Sequence, residues 1–330
     1  MLLSSLFRTY IPAMAGAAAA AIAASPSFAT EFKLGHVYDV SHPMHKAAVE
    51  AAAAFKACTG GRHSIAVYPS SQLGSENAIN EQVRFGGIDI VFTGQIFASS
   101  TYKPLAIGAA PFIFKDKEQA LRYRTSPVFK ELWEGWGKAT GQHILSAGYF
   151  GAFNVTSNTP IEKPEDMKGL KIRVPDAPIW LAFPKAVGAN PTPVPLAEVY
   201  LALKQGVVTA SANPVPITYA FKFYEVQKYV NPTAHMHEYV FWVVGNHVMS
   251  KIDAADKTCM QKSADLYAES STKMIVDQEK NLRKEMEDKK LIAFTNPDIA
   301  AFQKATASVI DQMAKDLGVS PELLAKFRGI

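Results

Sequence analysis

Several signatures that would identify an enzyme or a nucleic-acid-binding protein are missing from this sequence. It contains no G-x-S-x-G, G-x-G-x-x-G, Walker or H-E-x-x-H pattern, so the common nucleophile and cofactor motifs are absent. The net charge is only +4, from 34 Lys and Arg against 30 Asp and Glu, and no dense basic run occurs. Nucleic-acid binding usually requires a concentrated basic face, so the sequence does not suggest it.

Cysteine is scarce as well. The chain has two, Cys58 and Cys259, and they lie far apart. Two distant cysteines make a poor zinc site. A disulfide would require an oxidising compartment and Cα atoms within bridging distance, which the sequence does not test. A disulfide and two free thiols therefore both stay open.

Histidine offers little more evidence of a metal centre. The pairs His42 with His45 and His235 with His237 could each supply two ligands. No cysteine or carboxylate stands at a matching spacing, so a metal site is the weaker interpretation. We expect neither a metal nor a cofactor.

The first 29 residues are typical of a secretory signal peptide. Arg8 is their only charge, Ile11–Ala24 is a small apolar run, and Ser27-Phe28-Ala29 places small residues before a cleavage point. The run is short and alanine-rich for a membrane span, and an uncleaved anchor is the alternative. We expect cleavage near Ala29 and export of the mature chain.

The first 150 residues alternate short apolar strands with helices, as in a parallel α/β sheet. Strands are predicted at Glu31–Val40, Ile65–Tyr68, Ile88–Phe92 and His143–Tyr149, and helices at Met44–Cys58, from the N-cap Ser75 to the stop at Gly86, and on both sides of Pro127. The segment 148–151 then interrupts the last strand with two glycines. A crossing between domains fits there, because glycine accepts the backbone angles of a hinge.

The second half of the chain predicts a return crossing and a long helix. Tyr219–Tyr229 has a helical pattern, and Glu238–Val244 is a dense aromatic and β-branched strand that could cross back. No proline or glycine occurs from Ile252 to about Lys289, which indicates one long helix with a solvated charged face. Two shorter helices follow, separated by Gly318. A chain of 330 residues is long enough for two domains.

The stretch Met167–Pro214 predicts strand, helix, helix, strand. Such strands lie parallel, because an intervening helix returns the chain to the same edge of the sheet. Arg173 and Asn213 stand where the carboxyl ends of these strands should be, and open parallel sheets bind ligands beyond those ends. A guanidinium grips a carboxylate through two parallel hydrogen bonds, so these residues are a candidate carboxylate-binding pair. The alternative is an exposed strand-end charge and a turn residue before proline.

Aromatic and histidine side chains supply candidates for an apolar cleft. The candidates are His36, Tyr149, Phe153, Trp180 and Trp242. Each could equally be a core residue, because most aromatic side chains in such a chain are buried in the core.

Five segments together resemble the extracytoplasmic solute-binding subunits of tripartite ATP-independent periplasmic (TRAP) transporters. They are YPSSQLG at 68–74, MKGLKIRVP at 167–175, GANPTPVPLAEVYLALKQGVV at 188–208, ANP at 212–214 and FYEVQKYV at 223–230. The resemblance covers nearly all of the mature chain. It implies an α/β, two-lobed periplasmic-binding-protein fold with crossing hinge strands and a long helix spanning both lobes. It also implies delivery of a ligand to membrane permease subunits, driven by an ion gradient and not by ATP.

The same resemblance implies roles for single residues. The arginine that binds the ligand carboxylate in that family falls on Arg173, and the family's asparagine falls on Asn213. A second arginine, frequent in the strand that enters the second lobe, falls on Phe153, so we expect a monocarboxylate or an acid with an apolar distal part. Further contacts are expected from Phe153 and Trp180 as wall residues, from Asp176 to a hydroxyl or an amine, and from His36, Thr93 and Gln95 in the first lobe.

The resulting hypothesis is a monomeric periplasmic carboxylate-binding protein, not an enzyme. Its lobe I is expected to comprise 30–150 and about 239–278, and its lobe II about 151–238 and 279–330. One alternative is a ligand-sensing periplasmic module for a membrane kinase. A secreted hydrolase or lyase is a further alternative, disfavoured by the missing nucleophile and base pattern.

Overall fold

The structure is a computed structural model that describes residues 30–330. The predicted signal peptide, residues 1–29, lies outside the described residues. Within 30–330, no helix combines the length and the apolar composition needed to cross a bilayer.

A mixed sheet of nine strands forms the centre of the described chain. The strands are β1 (Thr30–Gly35), β2 (His63–Tyr68), β3 (Ile90–Gly94), β4 (His143–Ser157), β5 (Lys171–Val174), β6 (Asn190–Pro193), β7 (Ala210–Asn213), β8 (Tyr229–Val244) and β9 (Ala293–Phe294). Their order is β2-β1-β3-β8-β4-β7-β5-β6, and β9 pairs with β8. We call the part built on β1, β2 and β3 the first lobe and the part built on β5, β6 and β7 the second lobe.

Twelve α-helices flank these strands in the described residues. They are α1 (Pro43–Cys58), α2 (Glu76–Phe85), α3 (Gln95–Ala98), α4 (Lys117–Arg124), α5 (Pro127–Thr140), α6 (Ala182–Ala186), α7 (Val199–Lys204), α8 (Val215–Ala220), α9 (Asn246–Met249), α10 (Ala254–Asp288), α11 (Ile299–Asp316) and α12 (Pro321–Arg328). The predicted limits of α2 are confirmed. The Ser75 hydroxyl accepts a hydrogen bond from the N–H of Ala78, and Gly86 ends the helix in the left-handed region at φ 80°.

The second lobe contains one strand more than its sequence predicts. β5 pairs in parallel with β7, as expected, and also with β6. The segment Asn190–Pro193 carries two prolines, which normally argue against a strand. It lies at the edge of the sheet, where a missing backbone N–H does not interrupt the hydrogen-bond ladder.

Two long strands cross between the lobes. β4 and β8 are antiparallel and remain paired from His143 opposite Val244 to Ser157 opposite Tyr229. The register shifts between Tyr149 and Gly151, which has a positive φ of 119°. The predicted interruption at 148–151 is therefore an irregularity within one continuous strand, and it lies where the chain passes from one lobe to the other.

The predicted helix at Tyr219–Tyr229 is wrong. α8 ends at Ala220, Lys222 adopts a left-handed conformation at φ 55°, and a single 3₁₀ turn covers Phe223–Glu225. β8 then begins at Tyr229. Phe223 is buried, because the turn packs onto the core. Its spacing of three to four residues from neighbouring apolar residues therefore reflects this packing and not a continuous helix.

The long helix α10 spans both lobes. It has 35 residues, so its axis is about 50 Å long. It packs on α1 and β4 and, further along, on α8 and β9. Its buried side chains, among them Met260, Tyr267, Ile275 and Leu282, recur at helical spacing. One apolar stripe thus holds the two lobes to a common support.

The two cysteines form a disulfide, which decides the question that the sequence left open. Cys58 at the end of α1 is bonded to Cys259 near the start of α10, and their Cα atoms are 5.7 Å apart. The bond closes a sequence separation of 201 residues. A link over so long a segment removes conformational entropy from the unfolded chain.

We expect a variant with both Cys58→Ser and Cys259→Ser to lose about 2–5 kcal/mol of unfolding free energy because that constraint is gone. Urea unfolding followed by circular dichroism measures the change. Wild-type protein treated with a reductant is the control and should shift by a similar amount. An unchanged unfolding midpoint in the double variant would contradict this expectation.

Candidate functional site

A cavity opens between the two lobes. It encloses about 920 Å³ of space free of protein atoms, counting its open mouth. Its walls come from residues at or just after the carboxyl ends of β1, β3, β5, β6 and β7, and from the start of α2 and the middle of β4 and β8. Parallel sheets place ligands at those strand ends, so the topology itself creates the site.

Arg173 lies in β5 at the second-lobe wall of this cavity. Its side chain is buried, with 2% of the residue exposed. Nε donates to the carbonyl oxygen of Val194 at 2.9 Å, and Nη1 donates to Oδ1 of Asn213 at 2.9 Å. Burial lowers the pKa of the guanidinium to about 9, while the negative charges of Glu76 and Asp176 act in the opposite direction. Arg173 is therefore a rigidly held cation at neutral pH.

Asn213 is the last residue of β7 and also lines the cavity. Its Nδ2 donates to the hydroxyl of Ser211 at 2.6 Å, while its oxygen accepts from Arg173. The pairing of Arg173 with Ser211 in the parallel ladder brings the two strand ends side by side. The structure thus confirms that Arg173 and Asn213 meet at the carboxyl ends of neighbouring parallel strands.

A continuous series of aromatic rings forms one wall. The ring centroids of Tyr38 and Phe150 are 5.3 Å apart, those of Phe150 and Phe153 6.1 Å, and those of Phe153 and Trp180 4.5 Å. All four residues line the cavity, and the series runs from the first lobe through β4 to the second. These rings can bury an apolar ligand surface or face a cation.

Two carboxyl groups lie on the first-lobe side, the partly buried Glu76 and the buried Glu238. Glu76 Oε1 accepts from the N–H of Gly94 at 2.6 Å, and Glu238 Oε1 accepts from the N–H of Ile96 at 3.1 Å. Burial raises the pKa of Glu76 to about 7 and raises that of Glu238 well above its usual range, with the charge of Glu76 adding to the second effect.

One side-chain contact bridges the cleft near its mouth. Nδ2 of Asn77, in α2, donates to the backbone oxygen of Asp176 at 3.0 Å and to its Oδ2 at 3.2 Å. Asn77 belongs to the first lobe and Asp176 follows β5 in the second. The contact exists only when the lobes are close together.

Five of the ten residues that the sequence nominated line the cavity. They are Arg173, Asn213, Phe153, Asp176 and Trp180. Each belongs to the second lobe or to the crossing strand β4, and four of the five come from the segment 167–214. The strand pattern of that segment predicted Arg173 and Asn213, whereas Asp176 followed from the family resemblance and Phe153 and Trp180 were aromatic candidates.

The other five nominated residues lie behind the cavity wall and do not line it. His36 contacts His45 at 3.2 Å, Thr93 donates to Glu76 at 3.2 Å, and Gln95 donates to the Leu105 carbonyl at 2.6 Å. Tyr149 lies 2.9 Å from His237 through its hydroxyl, and Trp242 is fully buried against Phe92. For three of them, a sequence neighbour lines the cavity instead. Gly94, between Thr93 and Gln95, is a lining residue, and so is Phe150, which follows Tyr149.

Sequence reasoning missed Tyr38, Glu76, Asn77 and Glu238 as cavity residues. β1 ends at Gly35, earlier than predicted, so Tyr38 belongs to a strand-end loop and not to a strand face. The sequence did contain an indication for Glu238, because it is an acidic residue in the otherwise apolar and aromatic part of β8. A buried charge of this kind needs a specific partner or a functional role.

The histidine pairs lie in packed surroundings. His42 stacks on Tyr38 with ring centroids 5.3 Å apart, and His235 stacks on Phe183 at 3.8 Å. Within residues 30–330, no group of three or more His, Cys, Asp or Glu side chains is arranged to hold a metal ion.

Comparison with known proteins shows which family the chain belongs to. Residues 34–316 match the family described as DctP, bacterial extracellular solute-binding protein, family 7. The sialic acid-binding periplasmic protein of Vibrio cholerae is 30% identical over 297 residues, which are 90% of this chain and 92% of that protein. The 2,3-diketo-L-gulonate-binding periplasmic protein of Escherichia coli is 27% identical, over 96% of each chain.

Solved structures show the same architecture. A TRAP periplasmic solute-binding protein of Haemophilus influenzae with bound L-gulonate has a TM-score of 0.84 and 28% identity, covering 91% of this chain and 99% of that one. A corresponding protein of Polaromonas bound to D-erythronate has a TM-score of 0.86 and 26% identity, covering 91% and 99%. The two-lobed fold with crossing strands and a long common helix is therefore confirmed, and this chain belongs to the DctP family of bacterial extracellular solute-binding proteins.

Proposed function

We propose that this protein is the extracytoplasmic solute-binding subunit of a TRAP transporter. It captures a small organic acid between its lobes and delivers the acid to membrane permease subunits for ion-gradient-driven uptake. The observation that carries the proposal is the buried, oriented guanidinium of Arg173 at the interlobe cavity. A desolvated cation of this kind favours an anionic partner, and a small carboxylate fits both its fork geometry and the size of the cavity.

Arg173 retains the donors that such a ligand needs. Nε and Nη1 each make one hydrogen bond to the protein, but a guanidinium has five N–H groups. Nη1 and Nη2 together still present two parallel donors to a carboxylate. The bonds to Val194 and Asn213 fix the plane of this fork before the ligand arrives, which lowers the entropic cost of binding.

One arginine is not enough for tight binding. A hydrogen bond to a charged group contributes about 1.5–3 kcal/mol, whereas a micromolar ligand requires about 8 kcal/mol in total. The aromatic series from Tyr38 to Trp180 supplies apolar burial, and closure of the lobes excludes water from it. Contacts made only after closure are what allow a ligand to favour the closed form.

The proposed lobe boundaries follow the crossing strands. Lobe I comprises 30–150 and about 239–278, and lobe II comprises about 151–238 and 279–330. In support, Gly151 pairs with Glu238 where the register of β4 and β8 shifts. Mature protein released near Ala29 acts in the periplasm as a monomer without catalysis of its own.

The first experiment identifies the solute. Purified mature protein is screened against organic acids by thermal shift, and any co-purified ligand is identified by mass spectrometry. Saturable binding of an acid without its turnover supports the proposal. Binding confined to uncharged solutes would overturn it.

Replacing Arg173 by alanine is expected to weaken binding of that acid by about 2–5 kcal/mol, because the carboxylate loses its buried counter-charge. Arg173→Lys keeps a charge but not the planar fork and should be intermediate. Calorimetry measures both, and circular dichroism checks that each variant is folded. Arg84→Ala, at an exposed surface ion pair, is the matched control and should bind normally. Undiminished affinity in Arg173→Ala would refute the assignment.

Replacing Phe153 by arginine is expected to shift preference toward dicarboxylates such as succinate. Phe153 forms part of the wall between Phe150 and Trp180, so the new side chain adds a second cation to the cavity. The ratio of dicarboxylate to monocarboxylate affinity should rise about tenfold or more. Phe153→Leu keeps an apolar wall and should leave the ranking unchanged. An identical ranking in Phe153→Arg would show that Phe153 does not face the ligand.

Removing the Asn77 amide is expected to destabilise the closed form. Asn77→Ala deletes the bonds to Asp176 across the cleft, so ligand release should accelerate about two- to tenfold, the equivalent of one net hydrogen bond. Stopped-flow fluorescence measures the release rate. Asn190→Ala removes a similar exposed bond, to the Gly169 carbonyl within one lobe, and should not change it. Equal release rates in Asn77→Ala and Asn190→Ala would show that the bonds between Asn77 and Asp176 do not stabilise the closed form.

A further inference from the structure

The charged side chains around the cavity are not balanced. Arg173 is the one lysine or arginine among the described lining residues, whereas Glu76, Asp176, Glu198 and Glu238 contribute four carboxyl groups. A ligand with a second carboxylate would bring like charge against these acids. A ligand with one carboxylate and one positive charge complements both sides of the cavity.

Glu76 and Glu238 lie close together, and each is held in position by a backbone hydrogen bond. Both approach Gly94: a Cβ at that position would stand 3.0 Å from Glu238 Oε1 and 3.5 Å from Glu76 Oε1. Backbone N–H groups of Gly94 and Ile96 hold one oxygen of each acid in place. The absence of a side chain at residue 94 leaves room for both carboxyl groups at the cavity wall.

One oxygen of Glu238 is left unsatisfied by the part of the chain that the structure describes. Oε2 is buried and lacks a hydrogen-bond partner among residues 30–330, and the residue is only 2% exposed. An unsatisfied polar atom at such a site is costly unless something else meets it. Because Glu238 lines the cavity, a ligand group with N–H donors or positive charge can supply that partner.

The aromatic wall suits the same chemistry. Tyr38 and Phe150 lie on the first-lobe side of the ring series, and both line the cavity together with Glu76 and Glu238. The faces of aromatic rings attract cations, and the attraction increases when the cation is desolvated. Carboxyl groups and ring faces together form the usual surroundings of a bound ammonium group.

We propose that the solute is a zwitterion of the amino acid or betaine type, with its carboxylate on Arg173 and its positively charged nitrogen at Glu76, Glu238 and the aromatic wall. This inference rests on the proposed function and specifies its substrate class. It explains why a second arginine would be out of place at Phe153.

Protonation of the acid pair gives the proposal a measurable signature. With the cavity unliganded, the raised pKa values of Glu76 and Glu238 leave the pair partly protonated at neutral pH. A bound cation stabilises the ionised form, so protons leave on binding, and affinity falls as the pH drops below about 7. The charged and titratable groups that act on the pair are Arg173, Tyr38, Tyr123, Tyr239 and Tyr267.

Matched probes separate this proposal from simple acid binding. γ-Aminobutyrate and δ-aminovalerate are compared with their hydroxy counterparts, and glycine betaine with tert-butylacetate, which has the same shape without the charge. We expect the charged member of at least one pair to bind about tenfold tighter or more. Calorimetry in buffers of different ionisation enthalpy should show net proton release for that member alone.

Variants locate the effect. Glu76→Gln and Glu238→Gln should each remove most of the preference for the charged nitrogen, and Glu76→Gln should also reduce proton release. The readout is the ratio of the affinities for the charged probe and for its uncharged isostere, measured in each variant. Glu81→Gln, the same substitution at an exposed position of α2, is the matched control.

The outcomes distinguish the two levels of the proposal. If acids bind through Arg173 but uncharged isosteres and hydroxy acids bind as well as the charged probes, the zwitterion is refuted and the carboxylate-binding function stands. If no acid binds saturably, both fail. Preference for the charged probe with loss in the two glutamine variants supports both.

Discussion

A cation withdrawn from water at the tip of a strand is the constraint on which this structure depends. Arg173 is held by a backbone carbonyl and an amide oxygen, both neutral, so within its own lobe it has orientation without a direct ionic partner. The opposing charges that act on its pKa belong to Glu76, across the cleft, and Asp176, at the mouth. Charge in a low-dielectric site is stable only with a counter-charge nearby. In the proposed function, a bound anion supplies that charge in the cavity between the two lobes.

The first and second lobes contribute different kinds of recognition. The second lobe presents an oriented guanidinium, whereas the opposite side of the cavity presents two carboxyl groups and aromatic rings. β4 and β8 carry residues of both kinds, Phe153 and Glu238 among them, into the centre of the cavity. Neither lobe alone encloses a ligand, so affinity and closure are coupled by geometry.

The second-lobe half of the site could be predicted from local pattern, and the first-lobe half could not. The parallel unit around Arg173 and Asn213 lies within one continuous stretch, so its strand ends could be read from periodicity. Glu238 and Gly94 come together through the antiparallel pairing of β3 with β8, which no local pattern specifies. Thr93 and Tyr149 were each misplaced by one position. Successive side chains of a strand point to opposite faces. An error of one position therefore names a residue that faces the core and not the neighbour that faces the cavity.

The paired strands that join the lobes also limit how they can separate. Because β4 and β8 are hydrogen-bonded to one another on both sides of the crossing, and α10 lies along β4, neither lobe can swivel about a single bond. Opening must bend a two-stranded ribbon at its irregular centre near Gly151, which favours one direction of travel. The relative orientations of the lobes that a partner could meet are then confined to one arc of motion, set by the paired strands.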